Sequence, residues 1–253
     1  MANVNILRLV MEVRYEDAAE IISGRPGSPV VLTCEHASER LPEHWEWPED
    51  DRWLVGTHWA YDIGASDLTR DVAMALGAPA VLSRFSRLLI DPNRPGDSDT
   101  LFRKDAEGRV VHLNAHLSSG ERATRTTRLY DAFHDAAHAM LVASSSGTSK
   151  PVLMALHTFT PDYEGTVRQL EIGVLFDRDE ALAERIREAL AQTGLRVGMN
   201  EPYSGKLGMM YSADMHAARH GCQTVELEVR QDLAVEAVVR RRIVEALTRV
   251  LVK

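Results

Sequence analysis

The chain of 253 residues has only two cysteines, Cys34 and Cys222, and no C-x-x-C pair. A thiolate metal site is therefore not expected, and both residues fall in apolar, strand-like runs (VVLTC and CQTVELEV). Buried free thiols are expected there rather than a disulfide. No run of Lys and Arg is long enough to track a phosphate backbone, and the formal net charge is −8. Nucleic acid is thus not an expected partner. No apolar segment approaches the ~20 residues of a membrane helix. The first twenty residues, MANVNILRLVMEVRYEDAAE, lack the basic start, apolar stretch and cleavage site of a secretion signal, so a cytoplasmic location is expected. Several catalytic motifs are missing too. There is no H-E-x-x-H for a helix-borne zinc, no G-x-S-x-G for a nucleophilic serine, and no Walker loop or G-x-G-x-x-G.

What is present is an ordinary globular composition, 45% hydrophobic and 26% charged, long enough to bury a core without staples. Short apolar runs alternate with helical periods, the pattern of a sheet flanked by helices. PVVLTC (29–34), PAVLS (79–83), PVLMAL (151–156), EIGVLFD (171–177) and QTVELEVR (223–230) read as strands. RLLID (87–91) extends the second of these or forms another. Residues 62–76, 119–143, 180–194 and 234–252 read as helices, with Gly77 and Gly194 as stops. SSSGTSK (144–150) is a turn and DPNRPGDSDT (91–100) a loop. One α/β domain spanning 1–253 is expected, and no feature predicts its oligomeric state.

Residues fit for chemistry sit near the strand ends. His36 follows VVLTCE, His157 follows PVLMAL, and Glu228 lies in VELEVR. Sites in open α/β sheets gather beyond the carboxyl ends of the strands. Asp62 adds a carboxylate at the expected start of a helix, where it could equally be a simple N-cap. Two His and one carboxylate form a common protein ligand set for hydrolytic zinc, with one position left for water. A spare glutamate can then take that water's proton. Glu226 is the rival base, since side chains two apart on a strand share a face. By the same alternation Glu35 should point away from His36. His112 and His116 have i, i+4 spacing, but RVVHLNAHLSSG does not look like a sustained helix, and no second metal is expected there. Arg87 and Arg230 are expected to brace Asp91, Asp232 or a neighbouring strand. His58 and His134 could support the site or touch substrate.

The stretches CEHASERLP, HWAYDIGASDL, SRLLIDPNRPGDSDT, HTFTP and LEVRQDL, in this order, resemble the signature blocks of the N-formylglutamate amidohydrolase family. The resemblance runs from about Val30 to Leu233. It implies a fold similar to the zinc carboxypeptidases, a mixed and mostly parallel sheet with one zinc at the strand ends. It implies His36, Asp62 and His157 as zinc ligands and Glu228 as general base. Asn93 and Arg94 match the pair that holds the substrate carboxylate and polarises the scissile carbonyl. Arg168, Tyr203 and Ser204 are further substrate-binding candidates, the last two in a turn-forming segment suited to cover the pocket. In the carboxypeptidases the ligand carboxylate lies three residues after the first His, the place of Glu39 here. Asp62 is preferred because it starts the following helix, whereas Glu39 lies in an irregular SERLP loop. The implied reaction is hydrolysis of a small anionic N-acyl amino acid, N-formyl-L-glutamate in the first instance. A carboxypeptidase or cell-wall amidase on a larger substrate, or a non-catalytic binding protein, are the alternatives.

Overall fold

The computed structural model describes residues 15–145, 150–163 and 165–252. Most of the N-terminal stretch read for a secretion signal, and the middle of the SSSGTSK turn, lie outside them. The main sheet has seven strands: β1 (Ala19–Ile22), β2 (Val30–Cys34), β3 (Ala80–Ser83), β4 (Val152–Phe159), β5 (Ile172–Leu175), β6 (Val197–Met199) and β7 (Thr224–Arg230). Their order is β1-β3-β2-β4-β7-β5-β6. Strands β3, β2, β4 and β7 run parallel, as does the β5–β6 pair; β1 and β5 lie antiparallel to β3 and β7. The sheet is thus mixed and mostly parallel, as expected.

The central strands are apolar at nearly every position because helices cover both faces. Alternation divides their side chains. Leu32, Leu82, Leu156 and Leu227 point to one face, under α1 (Ala65–Leu76), α4 (Glu180–Ala191) and α6 (Ala237–Leu251). Val31, Val81, Leu153 and Ala155 point to the other. There they meet Phe133 and Leu141 of α3 (Ala132–Ser144) and Ala213 of α5 (Tyr211–His220). Leu32 and Leu156 are fully buried, so truncating either to Ala should cost ~2–5 kcal/mol.

Some local readings change. Asp62 does not cap α1: Gly64 occupies the N-cap position with φ 85°, and the helix begins at Ala65. A Cβ at Gly64 would press on Ala234, which is why the tight entry needs glycine. RLLID is not a strand. Its three central apolar residues are buried in turns, where Leu89 N–H donates to Ser86 O and the Ser86 hydroxyl to Ala60 O. The long helix from Ser119 is interrupted by a π-helical stretch, Thr126–Asp131, between α2 (Ser119–Arg125) and α3. Cys34 is buried in β2, but Cys222 is half-buried and precedes β7; both are free.

Candidate metal centre

The site forms where β2, β4 and β7 end. His36 lies two residues beyond β2, and His157 sits on β4 in register with Glu228 of β7. Asp62 is brought to His36 by backbone: its N–H donates to His36 O at 2.9 Å. The three side chains are buried, and their ligand atoms all lie within 4.8 Å of one another. Asp62 Oδ2 is 2.9 Å from His157 Nδ1 and 3.4 Å from His36 Nδ1.

The distal nitrogens of both rings are taken. His36 Nε2 is 2.7 Å from Asp91 Oδ1, and His157 Nε2 is 3.0 Å from Glu35 Oε2. A carboxylate on the far nitrogen sets the ring orientation and raises its basicity, the usual arrangement behind a metal-binding imidazole. Both Nδ1 atoms are thereby turned toward Asp62. His36 Nδ1 is buried without a hydrogen-bond partner among the described residues. An orphaned buried nitrogen costs about 1–3 kcal/mol, and a cation between it and Asp62 would remove that cost. The donor set, two imidazoles and a carboxylate, suits zinc.

Charge around the centre is arranged in pairs. Arg87 braces two carboxylates, with Nη2 2.8 Å from Asp91 Oδ2 and Nη1 3.4 Å from Asp62 Oδ1. Burial raises Asp91, but Arg87, His36 and Arg94 outweigh it and hold its pKa well below the ordinary range. Burial likewise disfavours charge on Glu35, yet the hydrogen bond and charge of His157 bring it down to about 2. Burial favours the neutral form of His157, and the surrounding Glu226, Asp62 and Glu35 reverse that, raising its pKa well above the ordinary value.

The two rival bases separate here. Glu226 Oε2 approaches His157 from the Glu35 side, 3.7 Å from Nε2, and does not reach the cavity. Burial pushes its pKa up to about 8. Glu228 lines the cavity with His36, Asp62 and His157. Burial, helped by Asp62 and Glu226, raises its pKa well above the ordinary carboxylate value. Its Oε2 has no partner among the described residues. Glu39 is elsewhere, accepting the Gly56 N–H.

Residues 28–235 match the model of the N-formylglutamate amidohydrolase family. The chain belongs to that family. It is an amidohydrolase, with a buried His–Asp–His group that could hold a metal ion. A gene product of Agrobacterium tumefaciens of known structure is 31% identical, with a TM-score of 0.86 over 93% of both chains. The N-formylglutamate amidohydrolase of Ralstonia eutropha JMP134 shares the fold at 17% identity, with a TM-score of 0.69 over 93% of this chain and 97% of that one. No curated protein matches this chain.

The cavity, about 320 Å³, also takes in Asn93, Arg94, Arg168 and Tyr203. Ser204 does not line it; its carbonyl instead accepts Leu207 and Met209 N–H groups. Asn200 ties that segment down, its Oδ1 accepting from Phe176 N and Gly205 N. Asn93 is set by Ser212, whose N–H donates to Asn93 Oδ1 at 2.9 Å, leaving the side-chain amide N–H groups for the cavity. Arg94 is held through its own carbonyl, which accepts the Tyr130 hydroxyl at 2.8 Å. Arg168 lies over the faces of Phe159, Tyr163 and Tyr203.

His58 lines the cavity, but His134 lies outside it, paired with His216. Arg230 braces Asp232 at 2.8 Å. His112 begins a single helical turn ending at Ala115, and no second metal group occurs among the described residues. Sequence reasoning missed Asp91 as partner of His36, and it missed Trp59, Arg103 and Tyr163 as lining. Asp91 and Trp59 were legible only as parts of the SRLLIDPNRPGDSDT and HWAYDIGASDL blocks; nothing local marked Arg103 or Tyr163.

Proposed function

We propose that this amidohydrolase is a zinc enzyme that hydrolyses N-formyl-L-glutamate to formate and L-glutamate. The observation that carries the reading is the cavity itself. It joins two Nδ1 atoms and a carboxylate, an unpartnered glutamate, and the Asn93–Arg94 pair in a space sized for a small acyl amino acid. His36, Asp62 and His157 would hold the zinc. When bound it supplies Lewis acidity, acidifying a water and polarising the acyl oxygen.

The chain's own groups do the rest. Glu228 accepts the proton of the attacking water and returns it to the leaving nitrogen. Its environment suits both directions, because burial favours the protonated form while a nearby dication would favour the carboxylate. Arg94 and the Asn93 amide orient the substrate carboxylate and donate to the oxygen on which charge develops. Asp91 and Glu35 keep the two imidazoles in the tautomer and orientation the site needs.

The test is kinetic. Wild-type enzyme should release formate from N-formyl-L-glutamate when zinc-loaded and not after chelation. Glu228→Gln should keep zinc while kcat falls by roughly 10²–10⁴. Arg94→Ala should raise KM as well as lower kcat. Near-normal kcat in Glu228→Gln, with collapse in Glu226→Gln, would hand the base to Glu226.

A further inference from the structure

Four arginines line the cavity: Arg87, Arg94, Arg103 and Arg168. Three acidic groups stand against them: Asp62 in the cavity wall and Asp91 behind it, both paired with Arg87, and Glu228, also in the wall. Arg94 borrows Asp91 at 3.9 Å. Arg168 donates to Thr160 O and the Tyr203 hydroxyl. The Arg103 guanidinium has no acceptor among the described residues. It lies over the face of Trp59, at 5.4 Å from the ring centroid. Burial and the positive charges of Arg87 and Arg94 lower its pKa, outweighing the opposing charges of Asp91 and Asp105. A half-buried cation set among like charges, in a chain of net charge −8, calls for an anion from outside.

Arg103 is also well anchored for that task. Its carbonyl accepts Asn114 Nδ2 at 2.7 Å, and Asn114 is gripped in turn by Arg125 at 2.8 Å. Trp59, beneath the guanidinium, is held by a 3.0 Å bond from Nε1 to Glu107 Oε1. An arginine with a fixed base and a flat support presents its N–H fork with little entropy left to lose. Outward from His58, Trp59, Arg103 and Tyr163 the surface turns acidic, with Asp105, Glu107 and Asp162 lining the adjoining hollow. Arg103 stands at that change of sign.

We propose that Arg103 is the specificity-determining residue of this cavity, pairing with the second carboxylate of the dicarboxylic substrate proposed above. This rests on the amidohydrolase reading above and assigns the side-chain end of the substrate. The first carboxylate lies with Asn93 and Arg94, and the second is paired by the Arg103 fork. The acidic hollow beyond disfavours anionic chains that extend further, so the selected substrate is a small dianion.

N-formyl-L-glutamate and its isosteric amide N-formyl-L-glutamine test this, because they differ only in the second charge. Wild type should prefer the glutamate compound. Arg103→Met should lower that preference, read as the ratio of kcat/KM values, by about 10- to 100-fold, the loss typical of a charge-assisted pair. The change should lie mostly in KM, and Arg103→Lys should restore part of the ratio. Zinc content is measured alongside to show that the centre is intact. An unchanged ratio in Arg103→Met, whatever the absolute rates, overturns the proposal. If zinc-loaded wild type hydrolyses neither compound, the proposed reaction fails, and calorimetry with glutarate still decides the arginine's role. Equal glutarate affinity in wild type and Arg103→Met would then overturn it.

Discussion

Imidazoles meet in two regions of this chain, and the two are electrostatic opposites. At the strand ends, His36 and His157 stand edge to face with centroids 4.8 Å apart, and each bonds a carboxylate through Nε2. Between α3 and α5, His134 Nδ1 meets His216 Nε2 at 3.0 Å, and one turn on His138 Nδ1 meets His220 Nε2 at 2.9 Å. There the hydrogen bond of each ring goes to another ring. Burial lowers His134 to about 4; burial and the neighbouring His134 lower His216 to about 3. His157 moves the other way, raised by its acidic neighbours against the pull of burial. Residue type and burial are alike for His36 and His157 on one side and His134 and His216 on the other, while His138 and His220 are half-buried. What differs is the partner on the far nitrogen, and that decides whether an imidazole is presented as a ligand or held as a neutral packing element.

The largest effect that could break this contrast is loss of metal. Wild type should retain about one zinc per chain by elemental analysis, and His36→Ala, Asp62→Ala or His157→Ala should retain none. His134→Gln and Glu39→Ala should retain it. Zinc loss in His134→Gln, or retention in all three ligand variants, would erase the distinction between the regions.

A smaller effect should follow from removing the far-side carboxylates while leaving the ligands in place. Glu35→Gln and Asp91→Asn should each weaken zinc binding by ~10–100-fold, measured by competition with a chelator of known affinity. Unaltered affinity in both would mean that those carboxylates only fill space.

The smallest effect is a pH dependence confined to the helix-borne pair. Because burial lowers the folded-state pKa values of His134 and His216 from 6.5, the unfolded chain binds more protons between those values and 6.5. Their contribution to stability is therefore complete above about pH 6.5 and is lost as pH falls toward 4. The loss at pH 5 should be on the order of 2 kcal/mol per ring. His134→Gln/His216→Gln should flatten the fall in Tm between pH 7 and pH 5 relative to wild type. An identical slope in the two proteins would show that the pair does not titrate on unfolding.

Much of the architecture was legible before any coordinates. The strands β2, β3, β4, β5 and β7 were readable because both of their faces are buried, so the signal is a plain apolar run bounded by turn residues. The edge strands β1 and β6 escaped because short, half-covered strands carry no such run. Helix α5 escaped for a related reason: YSADMHAARH buries small and polar residues (Ser212, Ala213, His216, Ala217) and so shows no apolar stripe. RLLID misled because an apolar triplet fits a buried turn as well as a strand.

The sequence by itself determined the types of chemical group and where along the chain they stand. His36, Asp62 and His157 were named as ligands from strand-end position, helix start and family resemblance, and they converge in the structure. Family resemblance points to Glu228 over Glu226, but alternation puts both on one face of β7 and by itself cannot choose. Tertiary structure places the two differently. One glutamate opens into the cavity, and the other is closed in behind His157. Only the fold could place Asp91 against a histidine 55 residues earlier, or bring Arg103 into the cavity wall. Strand and helix patterns are set by spacing along the chain, over a few residues. Partnerships, and the pKa shifts that follow from them, depend on through-space distances that arise when remote segments pack.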